Sequence, residues 1–171
     1  MAFNRIFWGI LFWFDFRIND FDILPDIVGY ILIFSGLSLL LQQNSHFISA
    51  QKLSIPLIVL SIFDVITLNI GFLGYFIFVG FTILNLLLVF HLCKGIEVWA
   101  RFNAQYQLAD LAMNRWKIYF IVSVVGAALV TGALIILPLA FLLIIPLLIA
   151  NIIAIILLLT LMKNAQKELR Y

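Results

Sequence analysis

One long apolar stretch in the C-terminal third constrains this chain more than any other feature. Residues 118–162 contain no charged side chain. As one helix, a stretch of that length would extend about 68 Å at about 1.5 Å per residue, whereas the hydrocarbon core of a bilayer is about 30 Å thick. The stretch must therefore fold back, and Pro138 is the natural break. This predicts two membrane spans, at residues 118–137 and 139–162, with a kink at Pro146 in the second.

The composition agrees with a membrane protein. Hydrophobic residues make up 65% of the chain and charged residues 11%, against about 45–50% and about 25% in an average soluble domain. A soluble domain of this size would leave much of that apolar surface in water. Three further apolar segments approach the length of a span, at residues 23–41, 54–71 and 72–93. Ser54 and Pro56 are expected at the N-terminus of the second of these segments.

The first segment, residues 3–16, is apolar and aromatic but short for a span. Either it crosses a thinned bilayer, or it lies along the interface, where Trp8 and Trp13 are favoured. The expected fold is therefore all-α: a polytopic transmembrane helix bundle in one membrane domain, residues 1–171. It has six spans, or five if the first segment is interfacial.

Residues 95–117 differ in character from the predicted spans. Aromatic and other apolar residues recur there at spacings of three and four, which places them on one face of a helix. This pattern predicts a cytoplasmic amphipathic helix. Either its apolar face lies on the membrane or the bundle, or it docks a partner protein. The residues expected at this interface are Trp99, Phe102, Tyr106, Met113 and Trp116.

The basic residues predict the orientation in the membrane, because cytoplasmic loops carry an excess of Lys and Arg. With six spans and both termini in the cytoplasm, nine of the 10 basic residues lie inside and only Arg17 lies outside. If the first segment is interfacial, only Arg5 changes sides. The C-terminus is therefore expected in the cytoplasm.

An acidic segment lies on the predicted external side, between the first two apolar segments. Clustered carboxylates can coordinate a hard divalent cation or attract a cationic ligand. The spacing does not match a calcium-binding helix-loop-helix, and a polar turn with Asp residues at helix ends is the other interpretation. The residues concerned are Asp15, Arg17, Asp20, Asp22 and Asp26.

The end of this segment resembles a known family. Residues 22–33 read Asp-Ile-Leu-Pro-Asp-Ile-Val-Gly-Tyr-Ile-Leu-Ile, which is similar to the N-terminal motif of small, uncharacterised multi-span membrane proteins of Gram-positive bacteria. The resemblance implies a bacterial plasma membrane location. That family has no established activity, so the resemblance assigns no site residues.

A set of polar residues within the predicted spans is the second candidate site. Asp64 is the acidic residue placed well inside a span, where ionisable groups are costly and usually face the bundle interior or a wet cavity. Together the set predicts a polar pathway for a proton, an ion or a small solute. The other interpretation is a hydrogen-bonded clamp between helices. The candidates are Asp64, Thr67, Thr82, Asn85 and Asn151.

Motifs for catalysis or metal binding are missing from the sequence. His46 and His91 are far apart along the chain, and no H-E-x-x-H, nucleophile elbow or phosphate-binding loop is present. The single cysteine, Cys93, excludes an intramolecular disulfide. We therefore expect no enzymatic activity, no metal and no cofactor.

Two function classes remain open. The first is a transport or permeation subunit for a proton, ion or small solute. A bundle this small would need to assemble to enclose a route, so a homo-oligomer is expected. The alternative is a non-catalytic accessory, assembly or defence-related membrane component that binds partner proteins. Both imply contact with membrane lipids, and neither implies nucleic acid.

Overall fold

The computed structural model describes residues 2–14, 17–18, 21–22, 26–65, 72–132 and 137–169. Within these ranges an antiparallel pair of two-residue strands, β1 (Arg17–Ile18) and β2 (Phe21–Asp22), accompanies a set of helices. The prediction of an all-α helix bundle is confirmed in this coarse form. The helices are α1 (Ala2–Leu11), α2 (Asp26–Ser38), α3 (Ser45–Val65), α4 (Phe72–Phe102), α5 (Tyr106–Gly132) and α6 (Leu137–Glu168).

The helices form a closed ring. Each helix packs against the next along the chain, and α6 also packs against α1. Aromatic side chains of helices that are not neighbours in the ring meet in its middle. Phe3 of α1 stacks on Trp99 of α4 with the ring centroids 6.0 Å apart, and Tyr30 of α2 meets Phe81 of α4 edge to face at 5.8 Å. At these aromatic contacts the interior of the ring is packed.

Three helices are long and apolar enough to cross a membrane, by length and composition: they contain the stretches Ser45–Ile62, Gly74–Phe102 and Leu143–Glu168. Their outward faces carry exposed large apolar side chains, such as Phe76, which is 56% exposed, and Ile145, which is 67% exposed. A water-soluble protein does not expose apolar surface on this scale. The protein is therefore a membrane protein.

Six spans are not supported. α1 has 10 residues and α2 has 13, so they are about 15 Å and about 20 Å long, shorter than a hydrocarbon core of about 30 Å. α1 packs antiparallel on α2 through small residues at their contact. A Cβ atom added at Gly29 would lie 2.7 Å from the Gly9 carbonyl oxygen, and one at Gly36 would lie 2.9 Å from the Ala2 carbonyl oxygen.

The start of α3 corrects the prediction for residues 54–71. The helix begins nine residues earlier, at Ser45, and Asn44 caps it: its Oδ1 accepts hydrogen bonds from the backbone N–H groups of His46 (3.0 Å) and Phe47 (3.4 Å). Ser54 is not a cap. It is buried inside the helix, and its hydroxyl donates to the Gln51 carbonyl oxygen at 2.6 Å.

The predicted amphipathic helix at residues 95–117 does not exist as a separate element. Its first half continues α4, its second half begins α5, and a turn divides them. Two hydrogen bonds close that turn, from Ala104 N–H to Arg101 O (3.1 Å) and from Gln105 N–H to Ala100 O (2.8 Å). This is the Schellman pattern, with Ala104 at a left-handed φ of 58°. The spacing of the apolar residues could not reveal the turn. Glycine is usual at this position of a turn, whereas the residue here is alanine, a strong helix former.

The fold-back predicted near Pro138 is present. α5 ends at Gly132 and α6 begins at Leu137, so Pro138 lies in the first turn of α6, where its missing N–H costs little. α6 continues through Pro146. The kink expected there stays a prediction.

Neighbouring helices run in opposite directions, and polar contacts gather at the end of the bundle where α1, α3 and α5 begin. Hydrogen bonds join Arg5 of α1 to Ser35 of α2, and Gln105 before α5 to the Glu168 carbonyl at the end of α6. Eight basic residues lie in the half of their helix nearest this end, which we call the basic end: Arg5, Lys52, Lys94, Arg101, Arg115, Lys117, Lys163 and Lys167.

Candidate functional site

A polar groove lies between α4, α5 and α6. Its volume is about 330 Å³. Five polar side chains line it, near the midpoints of the three helices, among apolar residues that include Phe81 and Leu147. Two of the helices contain candidate membrane spans, so the groove lies within the apolar part of the bundle. The five polar residues are Thr82, Asn85, Tyr119, Ser123 and Asn151.

Asn85 is the most constrained of these side chains. Its Nδ2 donates to the hydroxyl oxygen of Tyr30 at 3.0 Å, which connects α4 to α2 across the ring. Its Oδ1 is buried and has no hydrogen-bond partner among the described residues. Exchanging the amide oxygen and nitrogen would leave Nδ2 without a partner instead, so one polar atom of this amide faces the groove unsatisfied in either orientation.

The other polar residues differ in how far their hydrogen bonds are already used. The Thr82 hydroxyl donates to the Phe78 carbonyl oxygen at 2.8 Å. Tyr119 is buried and hydrogen-bonded to Ser123, one turn further along α5. Asn151 is exposed and makes no hydrogen bond within the described part of the chain. Its amide is therefore available to a molecule in the groove.

A second, larger lobe of about 540 Å³ adjoins the groove between α6 and the end of α1. The two share Leu147 and Asn151. Trp13 lines the second lobe, and its ring lies 5.8 Å from Tyr30 and 6.4 Å from Tyr119, centroid to centroid. The indole Nε1 of Trp13 is buried and has no partner among the described residues.

The described lining of both lobes carries no charged side chain. Hydroxyl, amide and indole groups supply all its polarity. In a membrane interior such groups are expensive unless they are hydrogen-bonded. The arrangement can hold water or an uncharged polar molecule by hydrogen bonds, and it offers no fixed counter-charge to an ion.

The structure brings together three of the five predicted pathway residues, Thr82, Asn85 and Asn151. The other two, Asp64 and Thr67, are not described at side-chain level: the backbone of Asp64 belongs to α3, and Thr67 lies outside the described residues. The sequence interpretation missed Tyr119, Ser123 and Trp13. The spacing of Tyr119 and Ser123, one helical turn apart, is the pattern that could have found two of them.

The acidic segment is described only in part. The backbones of Arg17 and Asp22 are paired in register between β1 and β2. Asp26 is the first residue of α2, where a carboxylate is favoured. Asp15 and Asp20 lie outside the described residues. A cluster of three or more metal-binding side chains does not occur in the described part of the chain.

The aromatic residues expected on one helix face do not share a surface. Trp99 is buried, against Phe3 and Phe47. Phe102 and Tyr106, on either side of the turn between α4 and α5, are 88% and 61% exposed. Met113 and Trp116 are half-buried, and Trp116 packs on Phe90 and Phe120. Only the two residues at the turn form a protruding aromatic tip.

Two histidines that are far apart along the chain are in contact. The Nδ1 atoms of His46 on α3 and His91 on α4 are 3.1 Å apart. Sequence distance concealed this pair, because the contact depends on how the turn before α3 sets that helix against α4. The turn is held by Asn44, whose Nδ2 donates to the Gly95 carbonyl oxygen at 3.0 Å.

Charged contacts lie at the basic end, away from the groove. Glu97 accepts from Lys94 at 2.5 Å and from Arg101 at 3.0 Å, and Arg101 also reaches Asp110 at 3.2 Å. Arg115 of α5 donates to the Leu157 carbonyl oxygen of α6 at 2.6 Å. Burial lowers the pKa of the Arg115 guanidinium, but an arginine stays charged throughout the physiological range. The two ion pairs of Glu97 lie within α4, whereas the Arg101–Asp110 contact joins α4 to α5 and the Arg115–Leu157 contact joins α5 to α6.

Comparisons with family models, with curated proteins and with solved structures found no match to this chain.

Proposed function

We propose that this protein is a transport or permeation subunit of a bacterial plasma membrane, and that the polar groove holds the small polar molecule that passes. The groove carries the proposal: five polar side chains converge on one space near the midpoints of three packed helices. Polar residues at such depth usually mark a substrate pathway or a helix clamp. A clamp would use its polar atoms within the protein. Here Asn151 and one atom of Asn85 have no partner in the described residues.

The basic end supports the proposed orientation. Eight of the 10 basic residues of the chain lie in the half of the bundle at that end, and Lys and Arg are enriched on the cytoplasmic side of membrane proteins. We place this end, with the end of α6, in the cytoplasm. A C-terminal fusion to green fluorescent protein should then fluoresce in bacteria, whereas a C-terminal alkaline phosphatase fusion should be inactive. The opposite pattern would reverse the orientation.

The homo-oligomer stays part of the proposal. The groove lies between helices of one chain, so a single copy offers a binding space, and assembly would complete a route around it. Photobleaching of single fluorescently labelled particles in native lipid nanodiscs counts the copies directly. Multiple bleaching steps are expected. One step in every particle would contradict the oligomer and leave the groove as the route of a single chain.

Transport is tested with the purified protein in liposomes. Uptake of a panel of small solutes and ions should exceed that of empty liposomes for at least one member. Asn151→Leu should reduce that flux, because it removes the exposed amide of the groove. Asn114→Leu is the matched control, since Asn114 is exposed on α5 at the basic end and does not line the groove. Equal flux in empty and protein-containing liposomes for the whole panel would overturn transport.

The alternative function, an accessory, assembly or defence-related component, is favoured by a different observation. Phe102 and Tyr106 protrude at the turn between α4 and α5, beside Arg101 and Asp110. Exposed aromatic residues with charged neighbours are typical of a docking surface. Replacing both aromatics with serine should then abolish co-purification of a specific membrane partner. Under the transport proposal the same variant keeps its flux.

A further inference from the structure

Two buried polar atoms without a hydrogen-bond partner, called orphaned atoms below, indicate which class of molecule the groove binds. Within the described residues, four buried side-chain N or O atoms lack a hydrogen-bond partner, and two of the four belong to this site: Asn85 Oδ1, an acceptor, and Trp13 Nε1, a donor. Buried polar atoms in native proteins are normally satisfied by the protein, by ordered water or by a ligand. Asn85 lines the groove and Trp13 lines the adjoining lobe, so a molecule bound across the two spaces would satisfy both atoms.

The two atoms belong to one cluster. Asn85 donates to the Tyr30 hydroxyl, and the Trp13 ring packs on Tyr30. Their lobes meet at Leu147 and Asn151, which line both. The exposed amide of Asn151, which both donates and accepts, lies where the lobes join. One molecule, or a short file of molecules, in this space meets an acceptor, a donor and an amide that is both.

The charge of the site decides the class of ligand. A cation would satisfy the Asn85 carbonyl but repel the indole N–H, and an anion would do the reverse. No charged side chain among the described lining residues compensates either ion, and an uncompensated charge in an apolar interior is costly. A neutral molecule with both donor and acceptor groups satisfies both orphaned atoms. With the Asn85 amide exchanged, both orphaned atoms are donors. A neutral molecule with two acceptor groups satisfies both, and an anion still finds no compensating charge among the described lining residues.

The lining and the volume of the groove restrict the class of ligand further. Apolar side chains, among them Phe78, Leu86 and Val122, cover the rest of the groove, so they suit the C–H surface of a small organic solute. A volume of about 330 Å³ is at the small end of ligand pockets, which span about 300–1,000 Å³. It has room for one small organic solute or for several molecules in file.

We infer that the groove binds a small uncharged solute of the polyol or amide class, which accepts a hydrogen bond from Trp13 and donates one to Asn85. This inference rests on the proposed transport function and adds its substrate class. Glycerol and urea are the probes, because each is neutral and carries both donors and acceptors on a small frame.

Stopped-flow light scattering tests the inference on liposomes that contain the full-length protein. Liposomes are shrunk in hyperosmotic glycerol or urea, and the rate of reswelling reports solute entry. The wild-type protein should accelerate reswelling with these probes. It should not accelerate reswelling with sodium chloride or potassium chloride, nor collapse an imposed proton gradient.

Each variant removes one polar group from the site, and Asn85→Leu also removes the hydrogen bond to the Tyr30 hydroxyl. Trp13→Phe keeps an aromatic ring but loses the N–H, and Asn85→Leu keeps the approximate shape but loses the amide. Each should slow solute entry about tenfold, the size expected for one lost hydrogen bond. Trp8→Phe is the control for Trp13→Phe, because Trp8 lies on α1, is 49% exposed and lines neither the groove nor the adjoining lobe. Asn114→Leu is the control for Asn85→Leu.

The outcomes separate the two proposals. Ion or proton flux without glycerol or urea entry would overturn the neutral-solute inference and leave transport standing. Faster osmotic shrinkage with no solute entry would show that the orphaned atoms are satisfied by water alone, and would also overturn it. No flux of any probe or ion would overturn transport itself. The uptake measurements on the wild-type protein test the inference by themselves. They remain decisive if a variant fails to fold.

Discussion

The imidazole rings of His46 and His91 meet head to head, with their Nδ1 atoms 3.1 Å apart and their ring centroids 5.4 Å apart. This geometry is that of an N–H···N hydrogen bond, in which one ring donates a proton and the other accepts it. The accepting ring cannot be protonated on Nδ1 while the bond exists. The pair therefore carries at most one positive charge as long as α3 and α4 remain joined there.

The histidine pair predicts that acid destabilises the bundle. In acid, both imidazoles of the unfolded chain can bind a proton, whereas the hydrogen-bonded pair carries at most one positive charge, so the unfolded state holds more protons than the folded state. Stability then falls as the pH falls, by at most about 1.4 kcal/mol per pH unit. The melting temperature in detergent should decrease from pH 7.5 to 5.5, a range in which solvated carboxylates stay charged.

His91→Gln is the variant that isolates this effect, because glutamine keeps a donor and an acceptor but does not titrate in this range. Its melting temperature should depend less on pH than that of the wild type. If the melting temperatures of the two proteins depend on pH in the same way, the histidine pair does not limit proton binding by the folded state.

The glycine contact between α1 and α2 predicts a position-specific cost. A Cβ at Gly29 would meet the Gly9 carbonyl oxygen at 2.7 Å, and that atom is backbone, which cannot move aside as a flexible side chain can. Gly29→Ala should destabilise the bundle by about 1–3 kcal/mol, the usual cost of overpacking. Gly80→Ala is the control, because nothing lies within 4 Å of the added atom. It should be neutral or stabilising by up to about 1 kcal/mol, since alanine favours a helix. Equal effects in thermal unfolding would refute the close contact.

The left-handed conformation of Ala104 predicts a stabilising substitution. A φ of 58° costs an L-residue about 1–2 kcal/mol, whereas glycine adopts it without strain. Ala104→Gly should therefore raise the melting temperature, although glycine returns part of the gain as entropy of the unfolded chain. Ala128→Gly, at an exposed position inside α5, should instead destabilise by about 1 kcal/mol. Destabilisation by both would show that α4 continues through residue 104.

Arg115 predicts a specific link between α5 and α6. Its Nη1 donates to the Leu157 carbonyl oxygen at 2.6 Å and to the Thr160 hydroxyl at 2.5 Å. Arg115→Ala should cost about 1.5–3 kcal/mol, the range for a hydrogen bond from a charged donor. Thr160→Val should cost less, since the bond to Leu157 remains. Lys117→Ala, at an exposed site two residues away, should leave thermal stability unchanged. A Lys117→Ala effect as large as that of Arg115→Ala would argue for general charge rather than this contact.

Hydropathy predicted the class of this protein well and its helix boundaries less well. Long apolar stretches can satisfy their backbone in a bilayer only as helices, so the helical bundle and the break near Pro138 followed from residues 118–162. Residues 45–53 and 94–102 are more polar, but they are helical because Asn44 caps α3 and α4 ends only at the turn around Ala104. The polarity of a segment indicates whether water or lipid surrounds it. Whether these two segments are helical depends instead on the Asn44 cap and on the position of the turn at Ala104.

The candidate site was partly visible in the sequence for a similar reason. Thr82, Asn85 and Asn151 were recognisable because amides and hydroxyls are rare in apolar spans. Trp13 and Tyr119 were not, since aromatic residues are common both in cores and at membrane interfaces. Which polar residues share one space depends on how α4, α5 and α6 pack, and a single sequence does not contain that information in readable form.

If the groove is a passage, water must reach it in the membrane. In a Cys93→Ala background, a cysteine placed at position 151 and another at position 153 are treated with a small, water-soluble thiol reagent in intact membranes. Asn151 lines the groove, whereas Ile153 is 50% exposed and does not line it. A thiol reacts as its thiolate, which forms only where water reaches it. We expect rapid labelling of Asn151→Cys and none of Ile153→Cys. If neither is labelled, the groove is sealed or filled by lipid, and the proposed passage is wrong.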